Sequence, residues 1–221
     1  IENDVKEEFN LFEPENIYEL TDGSDLSPLD KIEVQSEIII KVFSDFSHLT
    51  KPHISGISLI SEKDYFFISG SEAFFEECCT KIVKKKCKLV GHDLIKDIYA
   101  LMYYGMSDFD IAFDSAVAEY VIDPSRSSYD MKTQVLENFH IQIESEEEFA
   151  KRTAQVDLLG DNKAEEMKFG LSFCKYVIEL SKIQKSKIDK QNLGKVLYDV
   201  ELPLIKVLAA MEKDGFKVDK F

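Results

Sequence analysis

Tryptophan is absent from this 221-residue chain, glycine and proline number only nine and five, and there are just four cysteines. So little glycine and proline excludes collagen-like and low-complexity chains. Cys78, Cys79, Cys87 and Cys174 form no C-x-x-C pair. The adjacent Cys78 and Cys79 suit neither a ring-closing disulfide nor a zinc spacing, so all four read as small buried residues of a reducing compartment. No apolar run approaches the roughly 18 residues that a membrane span needs. Positive charge is also short: 27 Lys and Arg face 42 Asp and Glu, a net charge of −15. That balance disfavours a uniformly basic grip on phosphates and a polybasic membrane anchor. The chain has no G-x-G-x-x-G, P-loop or Ser nucleophile elbow, and His48, His53, His92 and His140 make no H-E-x-x-H. Ile1-Glu2-Asn3-Asp4 carries neither an initiator Met nor a signal-like apolar stretch, which reads as a piece cut from a longer protein.

What is present is a core: 44% of residues are apolar, enough for one domain or one and a half. Residues 1–35 hold 11 acids against 2 lysines, so −9 of the −15 sits there. With Pro14, Gly23 and Pro28 as punctuation, this stretch is expected to be an acidic linker or loosely docked arm. Glu37–Phe43 is rich in β-branched residues and reads as a strand, followed by strands at Ile54–Ile60 and Tyr65–Ile68. A helix is expected from Ser71, its N-cap, to about Lys84, with acids early and lysines late to complement its dipole. A short strand at Lys88–Val90 and helices at about Leu94–Tyr104 and Ser115–Ile122 follow. From Ser128 onward the pattern is helical. Met167, Leu171, Cys174 and Ile178 run beside Phe169, Phe173, Tyr176 and Leu180, a helix burying two adjacent faces. A last helix is expected over about Lys190–Lys213, kinked or restarted at Pro203 and closed at Gly215 by a left-handed cap. The fold class is therefore α/β, a mixed sheet flanked by helices with a helical C-terminal half.

Two stretches are more specific. Gly91-His92-Asp93-Leu94-Ile95-Lys96-Asp97, with Gly105 and then Phe113-Asp114-Ser115 through Ala118-Glu119-Tyr120-Val121-Ile122-Asp123-Pro124, resembles the second exonuclease motif of bacterial family A DNA polymerases, the DNA polymerase I family. Val200-Glu201-Leu202-Pro203-Leu204 through Met211-Glu212, then Gly215 and Val218-Asp219, resembles the junction where that family's exonuclease domain meets its polymerase domain. The resemblance implies an RNase H-like (DnaQ-like 3′–5′ exonuclease) fold over residues 36–188 and a helical junction over 189–221. It also implies an arm that follows a 5′-nuclease domain or linker, and a polymerase domain starting near Phe221.

Active members of that family hold two divalent ions with four carboxylates: a D-x-E on the first strand, an Asp in the second motif, and a Y-x-x-x-D on a late helix. Paired Mg²⁺ or Mn²⁺ ions need hard oxygen ligands. Matching residue by residue puts Lys41 and Phe43 at the D-x-E positions, Asp97 at the second-motif Asp, and Phe169 and Phe173 at the late Tyr and Asp. Asp45 begins no D-x-E, and no Tyr-x-x-x-Asp occurs between residues 155 and 190. Asp97 is the sole match. Exchanging −1 for +1 beside a divalent ion shifts the Coulomb sum by four unit-pair terms, each about 4 kcal/mol at 4 Å and an effective dielectric of 20. Asp114 matches a family position outside the quartet and is expected to make a structural hydrogen bond.

The expectation is thus a degenerate exonuclease-like domain, without metal cofactor, that braces the polymerase domain of its own polypeptide. By resemblance the parent is a DNA-directed DNA polymerase, a nucleotidyltransferase of replication and repair, which contacts DNA as a whole, lies in the bacterial cytoplasm at the nucleoid and involves no membrane. The alternative is an active 3′–5′ proofreading exonuclease on single-stranded DNA ends, using Mg²⁺ or Mn²⁺ with Asp97 and other carboxylates. A ribonuclease D-like reading needs the same four carboxylates and leaves the junction segment unexplained.

Overall fold

The computed structural model of the chain describes residues 11–45, 51–156 and 162–215. The β-branched run at Ile38-Ile39-Ile40 lies in strand β2 (Glu37–Asp45), which pairs antiparallel with β3 (His53–Ser61); β3 pairs antiparallel with β4 (Asp64–Ile68). On the other side of β2, β5 (Lys88–Gly91) and β6 (Asp110–Asp114) add in parallel. β1 (Asn16–Leu20) closes the opposite edge, parallel to β4, and the six-stranded order is β1-β4-β3-β2-β5-β6.

Two strands were not legible beforehand. Residues 11–35, expected as a loosely docked arm, supply β1 and a 3₁₀ turn (Ser27–Lys31), and Leu20, Leu29 and Ile32 are buried. Their charge averages acidic because outward acids alternate with a few inward apolar residues, and composition cannot resolve that alternation. β6 escapes notice because Asp110-Ile111-Ala112-Phe113-Asp114 is short and flanked by acids.

The helices follow from their caps. Ser71 accepts from Phe74 N–H to open α1 (Glu72–Val83). α2 (Leu94–Tyr103) and α3 (Ser115–Ile122) come next, then α4 (Met131–Phe139) and α5 (Glu146–Val156). Ser145 and Glu148 form a reciprocal capping box at the start of α5, with Glu148 N to Ser145 Oγ at 3.2 Å and Ser145 N to Glu148 Oε2 at 2.8 Å. The long α6 (Lys163–Gln191) lies across β3 and β2.

The expected last helix is interrupted. α6 ends at a left-handed Asn192, and α7 (Gly194–Val196) and a π-helical turn (Leu197–Glu201) lead into α8 (Leu202–Asp214). Pro203 stands in the first turn of α8, where a missing N–H leaves no bond unmade. Gly215 ends α8 with φ 63° and ψ −172°, positive in φ but extended rather than left-handed helical. α8 packs on α2 and β6, and Lys206 Nζ donates to the Phe109 carbonyl at 3.0 Å. Its outer side, continued from α7, exposes Val196, Val200, Leu204, Val207 and Met211. Val218, Asp219 and Phe221 of the junction motif lie outside the described residues.

The sheet has core on both faces. Ile38, Ile40 and Val42 join the main core, while Phe43, Ile60, Tyr65, Phe67 and Cys174 form a second cluster with Phe149. All four cysteines are buried free thiols.

Candidate functional site

Side chains alternate along a strand, so Lys41 and Phe43 share one face of β2. A bulge between Phe43 and Ser44 bends the strand there. The pairing of β2 with β5 extends only from Glu37 to Ile39, which leaves backbone donors of β2 beyond it without a strand partner. Asp97, in the first turn of α2, fills that gap: its Oδ2 accepts from Val42 N–H at 3.1 Å. Its Oδ1 lies 3.3 Å from Lys41 Nζ.

α6 brings the two phenylalanines of the late motif to the same place. Gly170 allows its close approach, because a Cβ there would stand 1.9 Å from Ser58 Oγ on β3. Phe169 then meets Phe43 edge-on at 6.2 Å and stacks with Phe173 at 6.1 Å, while Lys41 Nζ sits 5.1 Å from the Phe173 ring centre. All five residues singled out by motif matching, Lys41, Phe43, Asp97, Phe169 and Phe173, are thus neighbours in space.

Two further residues in the cluster were missed by sequence reasoning, and both come from α5. Glu146 Oε2 lies 2.6 Å from Lys41 Nζ, so the ammonium is held between two carboxylates. One turn on, Phe149 is buried, stacks on Phe169 at 4.2 Å and tilts against Phe43 at 5.8 Å. Arg152 lies over the outer side of the Phe149 ring, 5.3 Å from its centre. The Ser145-x-x-Glu148 spacing is the one local signal that could have marked where α5 starts. Nothing local says which strand α5 covers.

The electrostatics follow from burial. Lys41 is 7% exposed and Asp97 3%. Burial alone would push the lysine toward its neutral form, but the Asp97 and Glu146 carboxylates outweigh it and hold the ammonium above its ordinary pKa. Burial lifts the Asp97 carboxyl to about 7, with Lys41 opposing the rise and Glu146 adding to it. Glu146 is 44% exposed at its side chain; partial desolvation pushes its carboxyl upward, but the Lys41 ammonium prevails and its pKa falls below the usual carboxylate range.

The surrounding polar residues have structural partners. Asp114 accepts from four backbone N–H groups, of Asp93, Leu94, Ala116 and Val117, at 2.8–3.1 Å, and so caps α2 and α3 together. His92 Nδ1 meets Ser115 Oγ at 2.8 Å and its ring stands edge-on to Phe173. His53 opens β3, His140 is the left-handed C-cap of α4, and His48 lies outside the described residues. Asp45 ends β2 opposite His53.

A pair of divalent ions does not fit this donor set. The five motif positions offer one carboxylate, one ammonium and three phenyl rings, and among the described residues no group of three His, Cys, Asp or Glu is placed to hold a metal ion.

Comparison with known proteins locates this arrangement. The family model described as DNA polymerase I, ribonuclease H-like domain, matches residues 38–167. A DNA polymerase I of Caldicellulosiruptor bescii is 24% identical over 227 aligned residues, which cover 93% of this chain and 24% of that protein. Among solved structures, the POL domain of Pol1 from M. smegmatis, in complex with DNA primer-template and dNTP, superposes with a TM-score of 0.67 at 15% identity, over 86% of this chain and 31% of that one. NrnC of Brucella melitensis superposes with a TM-score of 0.69 at 12% identity, over 90% of this chain and 94% of its own. The chain therefore spans about a quarter of the polymerase relative it matches.

Proposed function

Because the chain belongs to the DNA polymerase I ribonuclease H-like domain family, matched over residues 38–167, we propose that it is a degenerate 3′–5′ exonuclease-like module serving as a structural scaffold within a DNA polymerase I. The fold is the RNase H-like exonuclease fold, a mixed six-stranded sheet with flanking helices. The observation that carries the reading is Lys41, whose ammonium lies between Asp97 and Glu146 where a two-ion site would need carboxylates. Metal-assisted hydrolysis needs an ion to lower the pKa of water and to stabilise the leaving oxygen. NrnC has been solved with bound Mg²⁺, whereas here the ammonium supplies a fixed charge with no open coordination position. Phe149 on Phe169 adds an apolar layer at the positions of the late motif.

The scaffold role rests on the exposed apolar row Val196, Val200, Leu204, Val207 and Met211. Spacings of four and three residues place it on one side of the α7–α8 segment, and an apolar strip of this kind marks a contact surface. Its proposed occupant is the polymerase portion of the same polypeptide, since the Caldicellulosiruptor bescii relative carries about three-quarters of its length outside the match. In this reading residues 36–188 form the exonuclease-like unit, 189–221 lead into the polymerase, DNA is held by the whole protein, and its place is the cytoplasm. No helix among the described residues is long and apolar enough to cross a membrane. The test is a crystal of the chain soaked in Mn²⁺. The expected map has no anomalous peak among Lys41, Phe43, Asp97 and Phe173; a peak ligated by Asp97 would overturn the proposal.

A further inference from the structure

α5 is attached to the domain by little of itself. Of its described side chains, Glu146, Glu147, Glu148, Ala150, Lys151 and Arg152 are exposed, and Phe149 and Thr153 are buried. Thr153 turns its hydroxyl back on its own helix, to the carbonyls of Phe149 and Ala150 at 3.0 and 3.2 Å, so that group ties α5 to no other element. Phe149 is the apolar footing: it belongs to the second cluster, and no described residue of α5 joins the main core. The ion pairs at the edges of the helix, Lys132 with Glu148 and Arg152 with Glu144 and Glu165, join partly exposed side chains and contribute little. Asn162, before α6, adds one hydrogen bond to the Thr153 carbonyl at 3.1 Å. The pair with a buried member is Glu146 on Lys41. α6, by contrast, buries side chains along its length as far as Ile188.

Open space lies on both flanks of the helix. A groove of about 760 Å³ is lined by Ser145, Glu146 and Glu147, and another of about 280 Å³ by Glu144 and Arg152 together with Phe169 and Phe173 of α6. Ahead of α5, Ile141 and Ile143 pack against the main core and hold the chain up to Glu144. From this single apolar footing, the space on either side and the anchored approach, we infer that α5 is a lid, which lifts off Lys41 about a pivot at Glu144 and Ser145 while the sheet and α6 stay folded. Glu146 and Phe149 stand three residues apart on one face of the helix and form its latch, the carboxylate on the ammonium and the ring on Phe169 and Phe43. Lifting uncovers an ammonium ringed by Phe43, Phe169 and Phe173 and joins the two grooves. A segment held by so few buried apolar contacts opens at a lower free energy than the whole fold. Once lifted, an 11-residue helix without an apolar partner is too short to keep its own turns in water, so opening is read as lost amide protection. The lid is independent of whether the Lys41 cluster has catalytic activity, and its test does not read hydrolysis.

The experiment is native-state hydrogen exchange of the 221-residue chain, followed segment by segment in rising urea below the unfolding transition. The amides of α5 are expected to exchange at least about 30-fold faster than those of α6. Their rate should hardly respond to urea, because lifting one helix exposes little surface, whereas α6 and β2 should accelerate together. Glu146→Gln, at an exposed position, is expected to speed exchange in α5 about 5- to 10-fold and to leave α6 within about 2-fold of the parent. Phe149→Leu should act in the same direction. In a second measurement, trypsin is expected to cut the native chain after Lys151 or Arg152 before it cuts within α6, and faster in Glu146→Gln by the same factor. Equal rates with equal urea slopes in α5 and α6 would show that α5 leaves only when the whole fold does, which overturns the lid. So would a Glu146→Gln variant that accelerates both helices alike or neither, or a first cut within α6.

Discussion

Replacing Lys41 by Met removes the ammonium while keeping its stem volume, and leaves Asp97 buried beside an apolar neighbour. Both partners are almost fully buried, at 7% and 3% exposure, so solvent screening gives little relief. Breaking such a pair from one side costs about 3–5 kcal/mol. Glu146 adds little to the loss, because its side chain is 44% exposed and can rehydrate. The cost depends on pH in a defined direction. Without the lysine, Asp97 is protonated when folded and ionised when unfolded, so each pH unit downward returns about 1.4 kcal/mol to the folded variant. The parent gains less over the same interval, since its Asp97 already titrates near 7. Urea unfolding at pH 8 should therefore show the full loss, and at pH 6 a loss smaller by about 1–2 kcal/mol. Lys41→Met combined with Asp97→Asn keeps an acceptor for Val42 N–H and should recover the parent's stability to within about 1.5 kcal/mol, as buried pairs replaced together often do. A loss under about 1 kcal/mol at pH 8 would match a surface ion pair instead. Either that result or no recovery in the double variant refutes the reasoning.

Phe149→Ala empties the layer on Phe169 and should cost about 3–5 kcal/mol, with amide exchange in α5 accelerating before that in α6. For Gly170→Ala, contact with Ser58 at 1.9 Å should destabilise by about 1–3 kcal/mol; adding Ser58→Gly should recover most of it, as read from thermal midpoints. Burial raises the folded Asp97 carboxyl to about 7, above its unfolded value of about 3.9. Its contribution to stability is thus complete below about pH 4 and lost as the pH rises through 7. Asp97→Asn should flatten the pH dependence of stability across that window, and an unchanged slope would show that another group dominates.

Much of the fold was legible because its signals are local. The β-branched run after Glu37 and the Ser71 cap each lie within a few residues, and both hold in the structure. The Asp114 expectation holds too, since its short acceptor side chain at the end of a strand meets the amide ends of two helices. β1 was hidden by the acids around Ile17 and Leu20, and the break at Asn192 by a helical pattern that runs through it. At the site, motif matching assembled Lys41, Phe43, Asp97, Phe169 and Phe173. It did not reach Glu146 or Phe149, because their role depends on where α5 lands, more than 100 residues along the chain from Lys41.

The most direct test of the central claim is hydrolysis itself. The purified chain is incubated with a 5′-labelled single-stranded DNA, with Mg²⁺ or Mn²⁺ and with a chelator as control, and the products are resolved by length. With Lys41 seated between Asp97 and Glu146, the expected result is DNA of unchanged length under all three conditions. Metal-dependent shortening from the 3′ end, abolished by Asp97→Ala, would contradict it.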